Sequence, residues 1–284
     1  MAVTTETLET RAAPISAAPT RQRTYRTLRG LGTPLARVLT AGIGIVAVAA
    51  LWTAVHAAGI FPDILFPGLG DIAAAGAAMW RDGSLRADTL ASLDRVIRGF
   101  AVGVLVAIPV GALTATTRAG RLIVQPVLRL FAPVPTVALV PLAILWFGLG
   151  EGSKQFVIAL GVFVPVWINT HSGLSATPAD FLKVARCAGA SRWRTLVRVV
   201  LPEAFPDIVT GLRVGTATAF VLIVVAEMAG TTVGLGYRIA QAQLFSQVDR
   251  MIFCLLVLGV LGVLCDQVVA RAAAPFIGWD QEER

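Results

Sequence analysis

Charge is scarce in this sequence: only 14% of its 284 residues are Asp, Glu, Lys or Arg, and it contains just two lysines and two histidines. Such a chain lacks the charged surface that an ordinary soluble domain carries. Apolar residues take its place, at 56% of the sequence and a mean hydropathy of +0.76. This composition fits lipid as the solvent, so we predict an integral membrane protein.

Residues that carry catalysis or bind metals are few and scattered. His56 and His171 stand alone, and Cys187, Cys254 and Cys265 form no CxxC pair. An intramembrane protease or lipid-modifying enzyme, the alternative from another functional class, needs a Ser/His, paired-Asp or HExxH arrangement, and the hydrophobic runs contain none. We therefore expect no catalytic residue, no metal and no cofactor in this chain.

The glycine-rich run from Gly148 to Lys154 superficially resembles a phosphate-binding loop. That motif requires Gly-Lys followed by Ser or Thr, after a strand and at the start of a helix, and here Ser precedes Lys. The net charge of +7 does not indicate nucleic acid either, because long apolar runs separate the basic residues. We expect neither a nucleotide nor a nucleic acid to bind this chain.

Six apolar runs are long enough for a helix of roughly 20 residues to cross the bilayer. They predict an all-α membrane protein with spans at 36–58, 93–117, 126–149, 155–173, 206–228 and 251–271. The predicted organisation is a disordered tail (1–34), a first span with an external amphipathic segment (35–89), a core of five spans (90–272) and a short polar tail (273–284).

Arginines set the predicted orientation. Most of the 24 Lys and Arg residues fall in the N-terminal tail, after the second span and in the connection after the fourth span. Loops rich in Lys and Arg stay in the cytoplasm. This rule favours six spans with both termini cytoplasmic, since a five-span arrangement would place the basic connection outside.

The basic connection, residues 176–205, has the pattern of two short helices, and we call it the basic segment. The first helix would end at Gly189, since glycine adopts the left-handed conformation that closes a helix. The second would begin at Ser191, a favoured N-cap residue, and would stop before Pro202, because the residue ahead of proline is pushed out of helical geometry.

The basic segment resembles the EAA loop of binding-protein-dependent ABC importer permeases, whose pattern is Glu-Ala-Ala, three residues, Gly, nine residues, Ile, one residue, Leu-Pro. The matching positions are Ala185, Gly189, Val199, Leu201 and Pro202. Lys183 and Val184 depart from the pattern, in place of the Glu and the first Ala. An ordinary basic helical hairpin is the alternative interpretation.

In that family the first short helix is a coupling helix, seated in a cleft of the ATP-hydrolysing subunit. The resemblance implies an ATPase-coupling set of Lys183, Val184, Ala185, Arg186, Gly189, Ala190, Ser191 and Pro202. It also implies a type I importer core, a homodimer of permeases, two ATPase subunits that hold ATP and magnesium, and an external or lipid-anchored binding protein. The location would be the bacterial plasma (inner) membrane, in contact with its lipid.

The resemblance extends from about Leu90 to Trp279 and is closest to the nitrate, sulfonate and taurine subgroup. The runs that carry it include Ser92–Phe100, Trp146–Glu151 and Gly234–Tyr237. It implies import of a small anion such as an aliphatic sulfonate, taurine or nitrate. A passive channel and an importer of a different small organic solute are the alternatives.

Five residues are candidates for the translocation pathway: Pro133, Pro135, Pro141, Asn169 and Glu227. The three prolines are expected to break the backbone hydrogen bonding of the third span, although proline is also common in membrane helices. Asn169 either contributes a polar group or packs between helices. For Glu227 a structural hydrogen bond is favoured over a pathway role, because a carboxylate is a poor ligand for an anion.

Overall fold

The computed structural model describes residues 34–276, with side chains from residue 42 onward, and all regular structure in that range is helical. The two predicted tails lie almost wholly outside it. Residues up to Ala50 form one unit, and the contacts below belong to the second unit, from Leu51 onward. The helices are α1 (Pro34–Ala57), α2 (Leu69–Arg81), α3 (Ser84–Thr116), α4 (Gln125–Phe131), α5 (Val140–Phe147), α6 (Glu151–Ala176), α7 (Ala179–Cys187), α8 (Arg192–Thr195), α9 (Leu201–Met228), α10 (Leu235–Leu244) and α11 (Val248–Ala273).

Among residues 34–276, four helical stretches are long and apolar enough to cross a membrane: α3, α6, α11 and the stretch Arg192–Met228 that contains α8 and α9. A fifth is a bent pair, Gly120–Phe131 and Thr136–Phe147, whose halves meet at 85°. These five correspond to the five predicted spans of the core. The part of α1 whose side chains are described, Gly42–Ala57, is apolar but shorter than these spans. The first span along the sequence, 36–58, therefore stays a prediction.

The element boundaries differ from the predictions in three places. α3 begins at Ser84, earlier than the predicted start, and its first turns bury polar residues against other helices. The third span is bent rather than continuous. A further helix, α10, follows the glycine-rich loop after α9. It was not predicted as a span because it is short and only moderately apolar.

Small residues hold the core helices close together. Gly99, Gly103, Ala107 and Gly111 recur at every fourth position of α3; the three glycines face α6, and Ala107 is buried. A Cβ atom at Gly103 would lie only 2.6 Å from the carbonyl oxygen of Ala159. Helices in lipid associate through such close backbone contact, because apolar side chains alone gain little by leaving lipid. The four-residue spacing is a sequence signal that hydropathy analysis does not use.

The three core helices have a defined relative direction. Gly99 faces Ile158 and Gly111 faces Thr170, so α3 and α6 run in the same direction. On α9, Gly211 faces Asn169, while Leu222 on the same helix would meet a Cβ atom at Gly161, so α9 runs against both. One end of the bundle therefore holds the starts of α3 and α6 with the end of α9, and the other end holds the basic segment.

A buried ion pair closes the end opposite the basic segment. Glu227 is fully buried, and its carboxylate accepts hydrogen bonds from Arg95 Nη1 at 2.7 Å, Ser92 Oγ at 2.8 and 2.9 Å, and Gly236 N at 2.8 Å. Arg95 is also bidentate to Glu151, at 2.7 and 2.9 Å. This network joins α3, α6, α9 and α10 through a buried pair, Arg95 and Glu227, and a half-exposed Glu151.

The same network fixes the glycine-rich loop that follows α9. Asp88, also buried, accepts from Gly234 N at 2.9 Å and from Arg238 Nε at 2.7 Å. Gly234 has φ +136°, and a Cβ atom there would lie 2.5 Å from the Glu227 carboxylate. Gly236 is under similar constraint, since its Cβ would lie 2.8 Å from the Glu227 Cβ. Glycine is thus required where the loop backbone meets the buried carboxylate.

Alanine at Gly103 should destabilise the fold, because the added methyl would force α3 away from α6. We expect a loss of about 1–3 kcal/mol in the free energy of unfolding, measured by thermal unfolding of the purified chain in detergent. Gly259→Ala is the matched control, since no atom lies within 4 Å of where its Cβ would be. Equal melting temperatures for the two variants would contradict the close packing.

Removing the Arg95 side chain should be far more costly than removing that of Arg98, one helical turn away. Arg95→Met leaves Glu227 buried without its cation, a change that typically costs about 3–5 kcal/mol. Arg98→Met breaks only the exposed pair with Asp94, with side chains 63% and 52% exposed, which should cost less than about 1 kcal/mol. Thermal unfolding checks both, and a similar loss in the two variants would show that the network does not stabilise the fold.

Candidate functional site

The first helix of the basic segment closes as predicted. α7 ends at Cys187, and Gly189 follows with φ +70°. Ala190 N donates to Ala185 O and Gly189 N donates to Arg186 O, both at 3.0 Å. These two bonds are the pair that satisfies the last carbonyls of a helix closed by a left-handed residue. Ala185, the second alanine of the EAA pattern, is buried beneath this closure.

The second helix begins as predicted but does not end there. Ser191 is its N-cap, and its Oγ accepts from Arg194 N at 3.3 Å. The predicted stop before Pro202 is wrong: α8 continues through a π-helical turn, Leu196–Val200, directly into α9. The wider turn relieves the clash that a proline ring makes with the carbonyl four residues earlier. Arg192–Met228 is therefore one helical stretch from the basic segment to Glu227.

The solvent-exposed surface of the basic segment carries large apolar side chains among its charged residues. Phe181, Val184 and Trp193 are 49%, 67% and 73% exposed. Lys183, at the position of the family's glutamate, forms an exposed salt bridge of 2.8 Å with Asp180 on the same helix. Exposed valine and tryptophan on two neighbouring short helices, Val184 on α7 and Trp193 on α8, are typical of a surface that a protein partner covers.

Two of these apolar residues, Phe181 and Trp193, were not among the candidates from the sequence. A tryptophan between two arginines, in a stretch too polar to be a span, was the signal for Trp193. Beside it lies a cavity of about 660 Å³ whose wall includes Thr116, Leu182 and Arg186. The segment thus presents both projecting side chains and a recess.

The bend in the third span lies at two of the three proline candidates. Pro133 and Pro135 fall between the halves that meet at 85°. Pro141 does not break the span as predicted, because it occupies the first turn of α5, where a missing N–H leaves no bond unmade. The inside of the bend encloses a cavity of about 420 Å³, whose wall is almost entirely apolar and includes Phe131, Val134, Trp146, Phe163 and Trp167.

The two polar pathway candidates lie in helix contacts. Asn169 Nδ2 donates to Pro165 O at 2.8 Å, and its Cβ faces Gly211 at the α6–α9 contact. Glu227 lies in the buried network at the end of the bundle opposite the basic segment. The ATPase-coupling candidates are therefore grouped at one end, while the pathway candidates are distributed along the bundle.

A chain of polar side chains lies at the end that holds the basic segment. Thr114 Oγ1 donates to Gly111 O at 3.0 Å, and it lies 3.2 Å from Trp167 Nε1 and 3.1 Å from His171 Nδ1. His171 Nε2 lies 2.8 Å from Gln125 Nε2. The Thr114 hydroxyl proton is used in the bond to Gly111 O, so the hydroxyl oxygen accepts from Trp167 Nε1 and from His171 Nδ1. His171 Nε2 then accepts a hydrogen bond from the Gln125 amide nitrogen. The chain joins α3, α4 and α6.

Comparison with known proteins places these features in a family. The family model "Binding-protein-dependent transport system inner membrane component" matches residues 103–274. A putative ABC transporter permease protein of Methanocaldococcus jannaschii is 38% identical over 198 residues, covering 69% of this chain and 74% of its own. The taurine transport system permease protein TauC of Escherichia coli is 32% identical over 254 residues, covering 86% and 92%. The putative aliphatic sulfonates transport permease protein SsuC of Bacillus subtilis is 32% identical over 232 residues, covering 82% and 84%.

The fold also has a solved counterpart. A chain of the MetNI methionine ABC transporter, in an inward-facing conformation, matches with a TM-score of 0.58 at 21% identity, covering 70% of this chain and 98% of that chain. The family is that of a transmembrane subunit that works with a separate ATPase and a binding protein, which fits the long apolar helices found here. This chain belongs to the family of binding-protein-dependent ABC transporter permeases, multi-pass components of the inner membrane.

Proposed function

We propose that this permease imports a small anion of the aliphatic sulfonate, taurine or nitrate class. The relatives that support this are permeases named for aliphatic sulfonates, taurine and bicarbonate. Two copies form the pathway, two ATPase subunits bind ATP and magnesium, and an external binding protein delivers the anion. This chain binds no cofactor of its own.

The proposed topology has six spans with both termini in the cytoplasm. The first span and external segment occupy 35–89, the core of five spans occupies 90–272, and tails of 1–34 and 273–284 flank them. The basic segment then faces the cytoplasm, and the Arg95–Glu227 network faces outside. The excess of arginine at the end that holds the basic segment supports this orientation.

The basic segment is the proposed coupling element, and α7 is the helix that docks into the ATPase. The observation that carries this proposal is the continuous stretch Arg192–Met228, which starts beside α7 and reaches Glu227. A displacement imposed on the docked helix is passed along this stretch to the outer end of the bundle. Alternating access then follows from ATPase closure that moves the two copies against each other.

Each coupling residue has a proposed role that its position supports. Gly189 and Ala190 close α7, Ala185 anchors it, Ser191 starts the next helix, and Pro202 follows the π turn. Lys183, Val184 and Arg186 lie on the exposed surface that meets the partner. Of the pathway candidates, Pro133 and Pro135 shape the bend beside the apolar cavity, Pro141 starts its second half, and Asn169 and Glu227 hold helices together.

Stimulated ATP hydrolysis tests the function. The permease is reconstituted in liposomes with the ATPase and binding protein encoded beside it, and hydrolysis is measured with taurine, methanesulfonate, nitrate or bicarbonate present. We expect the loaded binding protein to stimulate hydrolysis with one of these solutes. Stimulation only by a solute that carries no oxyanion group would overturn the substrate class. Solute flux without ATPase would indicate a passive channel.

Trp193→Ala should weaken capture of the ATPase by the permease. Truncating an anchor tryptophan at an interface typically costs about 2 kcal/mol or more, which is roughly thirtyfold in affinity. Trp80→Ala is the matched control, since Trp80 on α2 is 71% exposed, close to the 73% of Trp193, but lies outside the basic segment. Both affinities are measured with purified subunits. If the two variants bind the ATPase equally well, the basic segment is not part of the interface.

Cys187 reports the proposed orientation without any engineering. It is exposed on α7, whereas Cys254 is buried and Cys265 is half-buried in α11. In cells that express the permease alone, a membrane-impermeant maleimide should label Cys187 only after permeabilisation. In a Cys187→Ser background, Thr232→Cys in the exposed loop should be labelled in intact cells. Labelling of Cys187 in intact cells would contradict the proposed orientation.

A further inference from the structure

A polar cavity of about 490 Å³ lies beside the basic segment and differs in character from the apolar cavity at the bend. Its wall comes from the end of α3, the π turn before α4, α4, the end of α6, α7 and the π turn before α9. The polar members of the wall are Arg121, Gln125, Arg129, His171, Ser175 and Thr177.

The cavity carries uncompensated positive charge. Its wall contains two arginines and no carboxylate. Arg121 Nη2 donates to Ala115 O at 3.1 Å, which orients that guanidinium. Within residues 42–276, neither Arg121 nor Arg129 forms a salt bridge. Both arginines are exposed, and what distinguishes them from other unpaired arginines of the described range is that they line one cavity together.

The neutral groups of the wall are already positioned. Gln125 is only 7% exposed and is bound to His171, which is bound in turn to Thr114. The Thr177 hydroxyl is shielded from solvent and has no hydrogen-bond partner in the described part of the chain. Neutral groups that are already positioned lower the cost of ordering side chains when a ligand binds, and Arg129 is the side chain left to be ordered.

We propose that this cavity binds one small oxyanion, entering from the cytoplasm. Two unpaired guanidiniums with adjacent amide and hydroxyl groups match the charge and the acceptor oxygens of a sulfate, sulfonate or phosphate group. The entry side rests on the proposed orientation of the permease. The oxyanion comes either from solution or from the headgroup of an inner-leaflet anionic lipid.

The position of the cavity gives such an anion a structural consequence. Leu182 of α7 and Val200 of the π turn ahead of α9 complete its wall. An anion held by Arg129 and the end of α6 would therefore lie against both helices of the basic segment. The imported solute, on reaching the cytoplasm, meets this site next to the proposed ATPase-docking helix.

Titration of inorganic sulfate into the purified full-length permease tests the proposal. Binding is measured by calorimetry in detergent, at constant ionic strength maintained with chloride. Arg129→Gln and Arg121→Gln should each weaken sulfate binding about tenfold or more, as expected for the loss of one charge-assisted contact. Arg129→Lys should retain most of the affinity that the Gln variant loses.

Arg118→Gln is the matched control. Arg118 is exposed in the same connection as Arg121 but is absent from the cavity wall, so its loss removes one positive charge and should leave the affinity within about twofold. Thermal unfolding confirms that each variant is folded. Equal weakening in the Arg118 and Arg129 variants, or no sulfate binding and no lipid binding in the wild type, would overturn the proposal.

The lipid source is tested in nanodiscs with and without phosphatidylglycerol, analysed by native mass spectrometry. If phosphatidylglycerol abolishes sulfate binding and one bound lipid is lost in Arg129→Gln, the oxyanion is a headgroup phosphate. If sulfate binding is indifferent to the lipid, the ligand is a free anion. The sulfate titration contains neither ATPase nor binding protein. Absence of sulfate binding would therefore not contradict the proposed import function, and absence of stimulated ATP hydrolysis would not contradict sulfate binding.

Discussion

The pair of Arg95 and Glu227 is the interaction on which one end of this permease depends. A carboxylate with no solvent exposure is tolerated only if its charge and its hydrogen-bonding capacity are both satisfied. That requirement explains Ser92, which donates to Glu227 and accepts from Leu235 N. It also explains Gly234 in the loop, where a side chain would displace the carboxylate, and Gly236 at the start of α10, where a side chain would collide with the Val224 carbonyl and the Glu227 Cβ. One buried charge thus accounts for sequence features on three separate helices.

The two ends of the bundle are joined by a single helical stretch with defined irregularities. Arg192–Met228 contains a π turn and two prolines, Pro202 and Pro206, all in its first half. Irregular turns localise bending, because the ladder of backbone hydrogen bonds is already interrupted there. The second half, up to Glu227, lacks proline and packs on α6 through small residues. Bending of this stretch is therefore expected near the π turn and Pro202, between the basic segment and the buried network.

The parts of this structure that were predictable are those encoded locally. Hydropathy located the five core spans, and the residue types of Gly189 and Ser191 predicted the end of one helix and the start of the next. What escaped prediction depends on distant partners: Glu227 finds Arg95 across 132 positions of sequence. The run past Pro202 depends on a π turn, which has no residue signature of its own. Pro133 and Pro135 predicted an interruption of the third span, but the angle of the bend, 85°, could not be predicted from these residues alone.

One end of the bundle contains a buried network of paired charges, whereas the arginines of the cavity and of the basic segment at the other end are exposed. Where α3 and α6 begin, Arg95 and Arg238 are neutralised by Glu151, Glu227 and Asp88. Where they end, the arginines of the cavity and of the basic segment form no salt bridge within residues 42–276. An electrostatic field from unpaired cations extends farther than that of neutralised pairs, particularly beside lipid. The arginines that favour a cytoplasmic location for this end under the positive-inside rule are therefore also the residues that would attract an anion to it.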